Sequence, residues 1–187
     1  MSADTKSLGA ALAEATHPVS SMELAVQVSG LSAPLVQTLR RTLCAKFTDE
    51  QALLYLAICK QKGVDPFTQA FGFPQEGGGL AFGLRIDGMR ALAMRTGKYL
   101  TRTIEEITDP KDPSKVVGAR CIITREGMTS PVVEEAYFSE YDRPNGGQGW
   151  KQFPITMIRK VAESKALRAA FPDALAGVYE VAELEKD

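Results

Sequence analysis

The chain has 187 residues, 44% of them hydrophobic and 24% charged, with a formal net charge of -1, which suits one domain with its own core and leaves too little for a second. That balance excludes a fibrous or disordered chain and a polycation that coats nucleic acid indiscriminately. A single histidine, His17, and three widely spaced cysteines, Cys44, Cys59 and Cys121, argue against His-based metal centres and Ser-His-Asp catalysis and fit a reduced cytoplasmic compartment.

Residues 1–20, rich in Ala, Ser and Thr, are expected to be loosely ordered. Pro34 in a first turn, followed by Leu35, Leu39 and Leu43, predicts a helix to about Ala45. Thr48 with Gln51 reads as a capping box before a second helix, Ala52 to Lys62, which Gly63 stops. The two should form a helical hairpin. The longest apolar run, Ala52 to Cys59, is too short to span a bilayer, and the N-terminus lacks the order of a signal peptide.

From Asp65 the texture becomes aromatic and glycine-rich. Phe71 and Phe73 alternate before a turn at Gly77 to Gly79 and a second short strand at Leu80 to Leu84, the pattern of a β-hairpin. Asp87 to Arg95 reads as a helix ended by Gly97, and Thr101 to Ile107 alternates again, with Pro110 and Pro113 as chain breaks. Val116 to Thr124 and Thr129 to Phe138 predict a hairpin around Gly127, with Val117, Ala119, Cys121 and Ile123 on one face. After a polar loop from Asp142 to Gly149, Pro154 opens a helix through Ala170 and Pro172 stops it. The reading is one α+β domain over 21–179, with antiparallel β-hairpins packed against flanking helices, and an acidic tail over 180–187.

Charge is segregated along this chain. Arg85, Arg90, Arg95, Lys98 and Arg102 face the single Asp87 in one segment, and Lys151, Arg159, Lys160, Lys165 and Arg168 face the single Glu163 in another. A phosphate-binding surface on a near-neutral protein needs such segregation, although solvated helix faces would produce the same composition.

At 100° per residue, Met157, Val161, Ser164 and Arg168 share one face of the last long helix, and Ile158, Ala162 and Ala169 another. Arg159, Lys160 and Glu163 occupy a third side, where Glu163 can pair with both cations as an ordinary solvated face. Arg168 should be partly buried with no carboxylate near it in sequence, so a distant acid or a phosphate must meet it. Lys165 extends the same edge. Phe67, Tyr99, Tyr141 and Trp150 are the rings on which bases could stack, worth about 1–3 kcal/mol per base, and core packing is the plainer role for each.

Gly63-Val64-Asp65-Pro66-Phe67-Thr68, Phe73-Pro74, Asp87-Gly88-Met89, Trp150 with Pro154, Met157, Arg159, Arg168 and Ala170-Phe171, and Ala176-Gly177-Val178-Tyr179 follow one another in order. In that order and spacing the chain resembles the RecT and lambda Red beta family of phage single-strand annealing proteins from about Leu35 to Tyr179. The resemblance implies a protein that needs no nucleotide cofactor, coats single-stranded DNA with the bases outward, and pairs it with a complementary strand into an annealed duplex. It also implies a homo-oligomer, as ring or helical filament, with the DNA backbone in a basic groove formed partly by the helix matching Ile155 to Ala170. Mg2+ enters only as an aid to assembly or annealing.

Arg168 falls on a family DNA-contact position. Family members often carry Lys where this chain has Gln69, Ile155 and Val161, and Lys151, Lys160 and Lys165 are the neighbouring cations that could compensate. A phage exonuclease and a host single-strand binding protein are the partners implied, although the chain has little room for the C-terminal module that contacts them.

Two other readings deserve weighing. Glu163-Ser164-Lys165 supplies the ExK triplet of a PD-(D/E)xK nuclease, but on a helix, with Pro172-Asp173 after it rather than before, and with Asp87 remote in sequence. A protein-interaction scaffold with incidental basic helices is the other. Gly77 to Gly83 is not a P-loop, since no GK[ST] follows.

Overall fold

A computed structural model describes residues 20–141 and 147–180. The expectations for residues 1–19, for the middle of the polar loop at 142–146 and for the tail at 181–187 lie outside the described residues.

The first element is a helix that the leucine spacing did not announce, α1 (Ser21–Ser29). Its signal is local: the Ser20 hydroxyl accepts from Glu23 N at 3.2 Å, Glu23 Oε2 accepts from Ser20 N at 2.9 Å, and Gly30 takes the left-handed conformation that ends the helix. α2 (Ala33–Arg41) stops earlier than predicted. Leu35 and Leu43 are 46% and 45% exposed, so the apolar face is Val36 and Leu39, and Cys44 fills the next core position from the turns beyond the helix. α3 (Asp49–Lys62) carries the predicted Thr48–Gln51 capping box and the Gly63 stop.

β1 (Ala70–Pro74) and β2 (Leu80–Leu84) form the predicted hairpin. The last strand, β6 (Tyr179–Glu180), joins β2 in parallel, with Leu84 opposite Glu180. Glu180 is therefore buried within a sheet and is not the start of an acidic tail. Gly83 makes the arrangement possible, because a Cβ there would lie 2.1 Å from the Phe71 ring and 2.7 Å from the Tyr179 carbonyl oxygen. α4 (Ile86–Arg95) follows directly, and Gly88 lets it start tight against the preceding loop, since a Cβ would sit 2.9 Å from the Gln69 carbonyl oxygen.

β3 (Tyr99–Asp109), β4 (Asp112–Arg125) and β5 (Val132–Tyr137) form a second, antiparallel sheet in that order. Pro110 sits in the turn between β3 and β4, but Pro113 is inside β4 rather than breaking it. The pairing jumps there from Asp109 opposite Asp112 to Thr108 opposite Val116, so Pro113 occupies an irregularity where no ladder N–H is demanded. After two short helices, α5 (Phe138–Tyr141) and α6 (Gln148–Gln152), the long helix α7 (Pro154–Ala170) packs over β4 and β5. A last short helix, α8 (Pro172–Leu175), leads to β6.

The core lies between α7 and this sheet. Ala119, Cys121, Ile123 and Ala136 from the strands meet Ile158, Val161, Ala162, Ala166 and Ala170 from the helix, all fully buried. Alanines at 162, 166 and 170 recur at the helical spacing that permits close approach. Two face assignments change: Ala169 is exposed, and Val117 is only partly buried. Arg125 finishes the helix, donating from Nη1 to the Ala170 carbonyl with its guanidinium 5.4 Å over the Phe171 ring. No helix among the described residues is long and apolar enough to cross a membrane.

Candidate nucleic-acid interface

Three elements from distant parts of the chain enclose an open groove of about 650 Å3. The start of α4 supplies Arg85, Asp87 and Arg90, β3 supplies Arg102 and Ile104, and α7 supplies Thr156, Met157, Arg159, Lys160 and Glu163, with Gly149 and Glu180 at its margins. Both basic segments of the sequence thus contribute to one surface: Arg85, Arg90 and Arg102 face Arg159 and Lys160 across it.

Glu163 lies at the floor, and it is not on the solvated face predicted for it. It is 1% exposed and pairs with cations 73 and 61 residues away instead of Arg159 and Lys160. Arg90 grips it with two parallel bonds, Nε to Oε1 and Nη2 to Oε2, each 2.7 Å, while Arg102 Nη1 also donates to Oε1. The third Arg90 nitrogen, Nη1, donates to Asp87 at 2.7 Å. Two guanidinium groups on one buried carboxylate satisfy a charge that would otherwise cost several kcal/mol to bury. The bonds from Glu163 raise the pKa of Arg90 above the ordinary guanidinium value.

The same contacts count against the nuclease reading on geometry. Arg90 does link Asp87 to Glu163, but with guanidinium nitrogens occupying the oxygens a metal would need. Among the described residues no group of three acidic, Cys or His side chains could hold a metal ion.

The groove's remaining cations are less engaged. Arg159 lies 3.5 Å from Glu106, both side chains well exposed, an arrangement worth little by itself. Among the described residues, Arg85 and Lys160 have no ion-pair partner closer than that. Among the described residues, Arg85 and Lys160 are thus donors left to the open groove.

Other predicted site residues are placed elsewhere. Lys165 points to the opposite side of α7, donating to the Glu135 carbonyl at 2.5 Å and lying 3.9 Å from Glu134 Oε2. Arg168 is half-buried as expected, but its guanidinium stands 5.4 Å over the Tyr179 ring and it is not without a partner in the fold. Neither lines the groove, so the wall of α7 facing Arg85 to Arg102 is Arg159 and Lys160. Arg95 is taken by the end of α3, donating to the Gly63 carbonyl at 2.5 Å. Lys98 and Lys151 are exposed outside the groove.

The aromatic candidates divide similarly. Tyr99 stacks on Phe171 at 5.8 Å, and burial raises its pKa. Trp150 lies parallel to Tyr141, ring centroids 6.0 Å apart, next to the marginal Gly149. Phe67 is half-buried in a turn organised by Asp65, whose Oδ1 accepts from Phe67 N at 2.8 Å and Thr68 N at 2.7 Å. Gln69 closes that turn, its Oε1 accepting from Asp65 N at 2.9 Å. Of the positions where family members often carry lysine, Val161 is fully buried, so a cation there would have to leave water to pack under this helix.

Sequence reasoning missed Glu163 as a floor residue and Glu180 as a margin. A signal existed for the first: Glu163 is the lone acid among small apolar residues in the most buried stretch of α7, a placement that demands a cation from elsewhere. No spacing rule could say which one.

No curated protein matches the chain. A model described as the RecT family matches residues 29–187, and the order of motifs, the mixed α+β fold and the convergence of both basic segments agree with it: the chain belongs to the RecT family, DNA-binding proteins of single-strand annealing in phage-type recombination.

Proposed function

We propose that this chain anneals complementary strands without nucleotide hydrolysis by laying the sugar-phosphate backbone of single-stranded DNA along the groove between α4, β3 and α7. The observation that carries the reading is the meeting of Arg85, Arg102, Arg159 and Lys160 around one open groove, with Arg90 held on its acidic floor. Cations from separate elements can meet successive phosphates, and none of the lining residues is aromatic. A groove of that composition grips backbone and leaves the bases outward for pairing, unlike a stacking channel that sequesters them.

Arg168 on its Tyr179 platform adds a contact beyond the groove, with Lys165, Lys151, Lys98 and Arg95 as outlying cations and Trp150, Phe67 and Gln69 near the path. Copies of the chain assemble into a ring or helical filament, Mg2+ aids assembly or annealing, and the annealed duplex is the product. The compartment is the cytoplasm of a bacterial host, where a phage exonuclease and the host single-strand binding protein are its protein partners.

A fluorescent oligonucleotide titrated over a range of salt, followed by mixing of two complementary strands without ATP, tests this. Binding should weaken steeply with salt as counterions are released, and duplex should form faster than in protein-free solution. A salt-independent affinity, or annealing only with ATP, would sink the reading. Electron microscopy with and without the complementary pair tests the assembly, and a chain that stays monomeric on annealed DNA would refute that part.

A further inference from the structure

We propose that Glu163 is a positioning residue of the groove, which holds Arg102 in the orientation that meets DNA, while Arg90 serves to anchor Glu163; this rests on the annealing reading above. A carboxylate on the floor of a site for a polyanion calls for an explanation, because its charge repels the ligand. Its geometry supplies one. All three nitrogens of Arg90 are engaged, two by Glu163 and one by Asp87. Arg102 is about as exposed to the groove as Arg90, 32% against 34%, but it has only Nη1 engaged among the described residues.

The division of labour follows from guanidinium shape. The planar fork offers donors along more than one edge, so one nitrogen can be tied to a carboxylate while Nε and Nη2 remain free. A tethered arginine has already lost its rotamer freedom before a phosphate arrives, which removes part of the entropy cost of binding. Glu163 is itself immobile, being 1% exposed on a helix packed over β4 and β5. Asp87, Arg90, Glu163 and Arg102 thus form one relay of fixed hydrogen bonds from the start of α4 across α7 to β3.

Glu163→Gln separates this proposal from simple electrostatics, because the two predict opposite signs. Loss of a negative charge from a cationic groove should by itself tighten DNA binding. Gln keeps one oxygen that can accept from Arg102, so the tether loses its charge assistance rather than its acceptor, and the looser Arg102 should weaken binding several-fold. The measurement is equilibrium binding of a fluorescein-labelled oligothymidylate to the full chain across a salt series. Weaker binding by Glu163→Gln is expected, with the slope against log salt reduced by about 0.7, the share of one phosphate contact on a single strand.

Arg102→Lys should weaken binding to a similar extent although its charge is kept, because an ammonium has no planar fork with which to hold Glu163 on one edge and present two parallel donors to a phosphate on the other. Binding by Glu163→Gln at or above wild-type affinity overturns the proposal, as does weaker binding with the wild-type slope. If Glu163→Gln melts below the assay temperature, Arg102→Lys decides alone: wild-type affinity overturns the proposal and a loss supports it. Wild-type protein that fails to bind the oligonucleotide even at low salt overturns the annealing reading itself, and this inference with it.

Discussion

Arg102 on β3 and Glu163 on α7, 61 residues apart in the chain, share a hydrogen bond at the floor of the groove. That contact ties the meander sheet to the long helix on the side where the cations gather. It also means that groove shape and groove charge depend on the same few side chains.

Arg85 and Lys160 test the groove with least risk to the fold, since neither has an ion-pair partner among the described residues closer than 4.0 Å. Arg85→Ala and Lys160→Ala should each weaken oligonucleotide binding several-fold and lower the salt slope by about 0.7, with unchanged melting temperature. Lys165→Ala, on the opposite side of α7, should do less. Equal effects for all three would show that the groove has no special place in binding.

Arg90 is expected to matter mainly for stability. Arg90→Ala leaves Glu163 buried with Arg102 as its remaining partner, and losing two charge-assisted bonds should cost about 3–5 kcal/mol. Urea unfolding followed by circular dichroism measures this directly. A variant as stable as wild type would mean that Glu163 can be hydrated in the folded chain.

Gly83→Ala is predicted to detach β6. The new Cβ would meet the Phe71 ring at 2.1 Å and the Tyr179 carbonyl at 2.7 Å, and the backbone oxygen cannot move aside as a flexible side chain would. A loss of about 1–3 kcal/mol is expected, together with weaker DNA binding, because Glu180 and the Tyr179 platform under Arg168 ride on the same strand. Normal stability with normal binding would refute the tight pairing.

The three cysteines should be inert in the native protein. Burial pushes the Cys44 thiol up to about 11 and the Cys59 and Cys121 thiols to about 12, so almost no thiolate exists at pH 8. A chromogenic disulfide reagent should titrate none of them until denaturant is added, then all three. The same shifts set a sign for stability: the contribution is fully present below the ordinary thiol range and is lost as pH climbs through it toward about 12. Rapid modification at pH 8 would contradict this.

Much of the local structure was decided by short-range signals. Thr48 with Gln51, Gly63, Gly97, Pro154 and Pro172 place helix ends because caps and prolines act over three or four residues, and Phe71 to Leu84 read as a hairpin for the same reason. Where a pattern needed to know which side faced the core, periodicity alone chose wrongly. Leu35 and Leu43 fit a helical stripe, but only the packing of α2 makes Val36 and Leu39 the buried pair.

The order of motifs along the chain identified the family, and clustering of charge marked both basic segments. What tertiary structure alone decided is which cations work together. Helical spacing grouped Arg168 with Lys165 and Glu163 with Arg159 and Lys160, because side chains on one element see first their own neighbours at i+3 and i+4. A buried carboxylate obeys a stronger demand, since desolvation forces it to find guanidinium wherever the fold supplies it. Arg90 and Arg102 reach Glu163 only after α4, β3 and α7 have packed, and no rule of sequence spacing spans that distance.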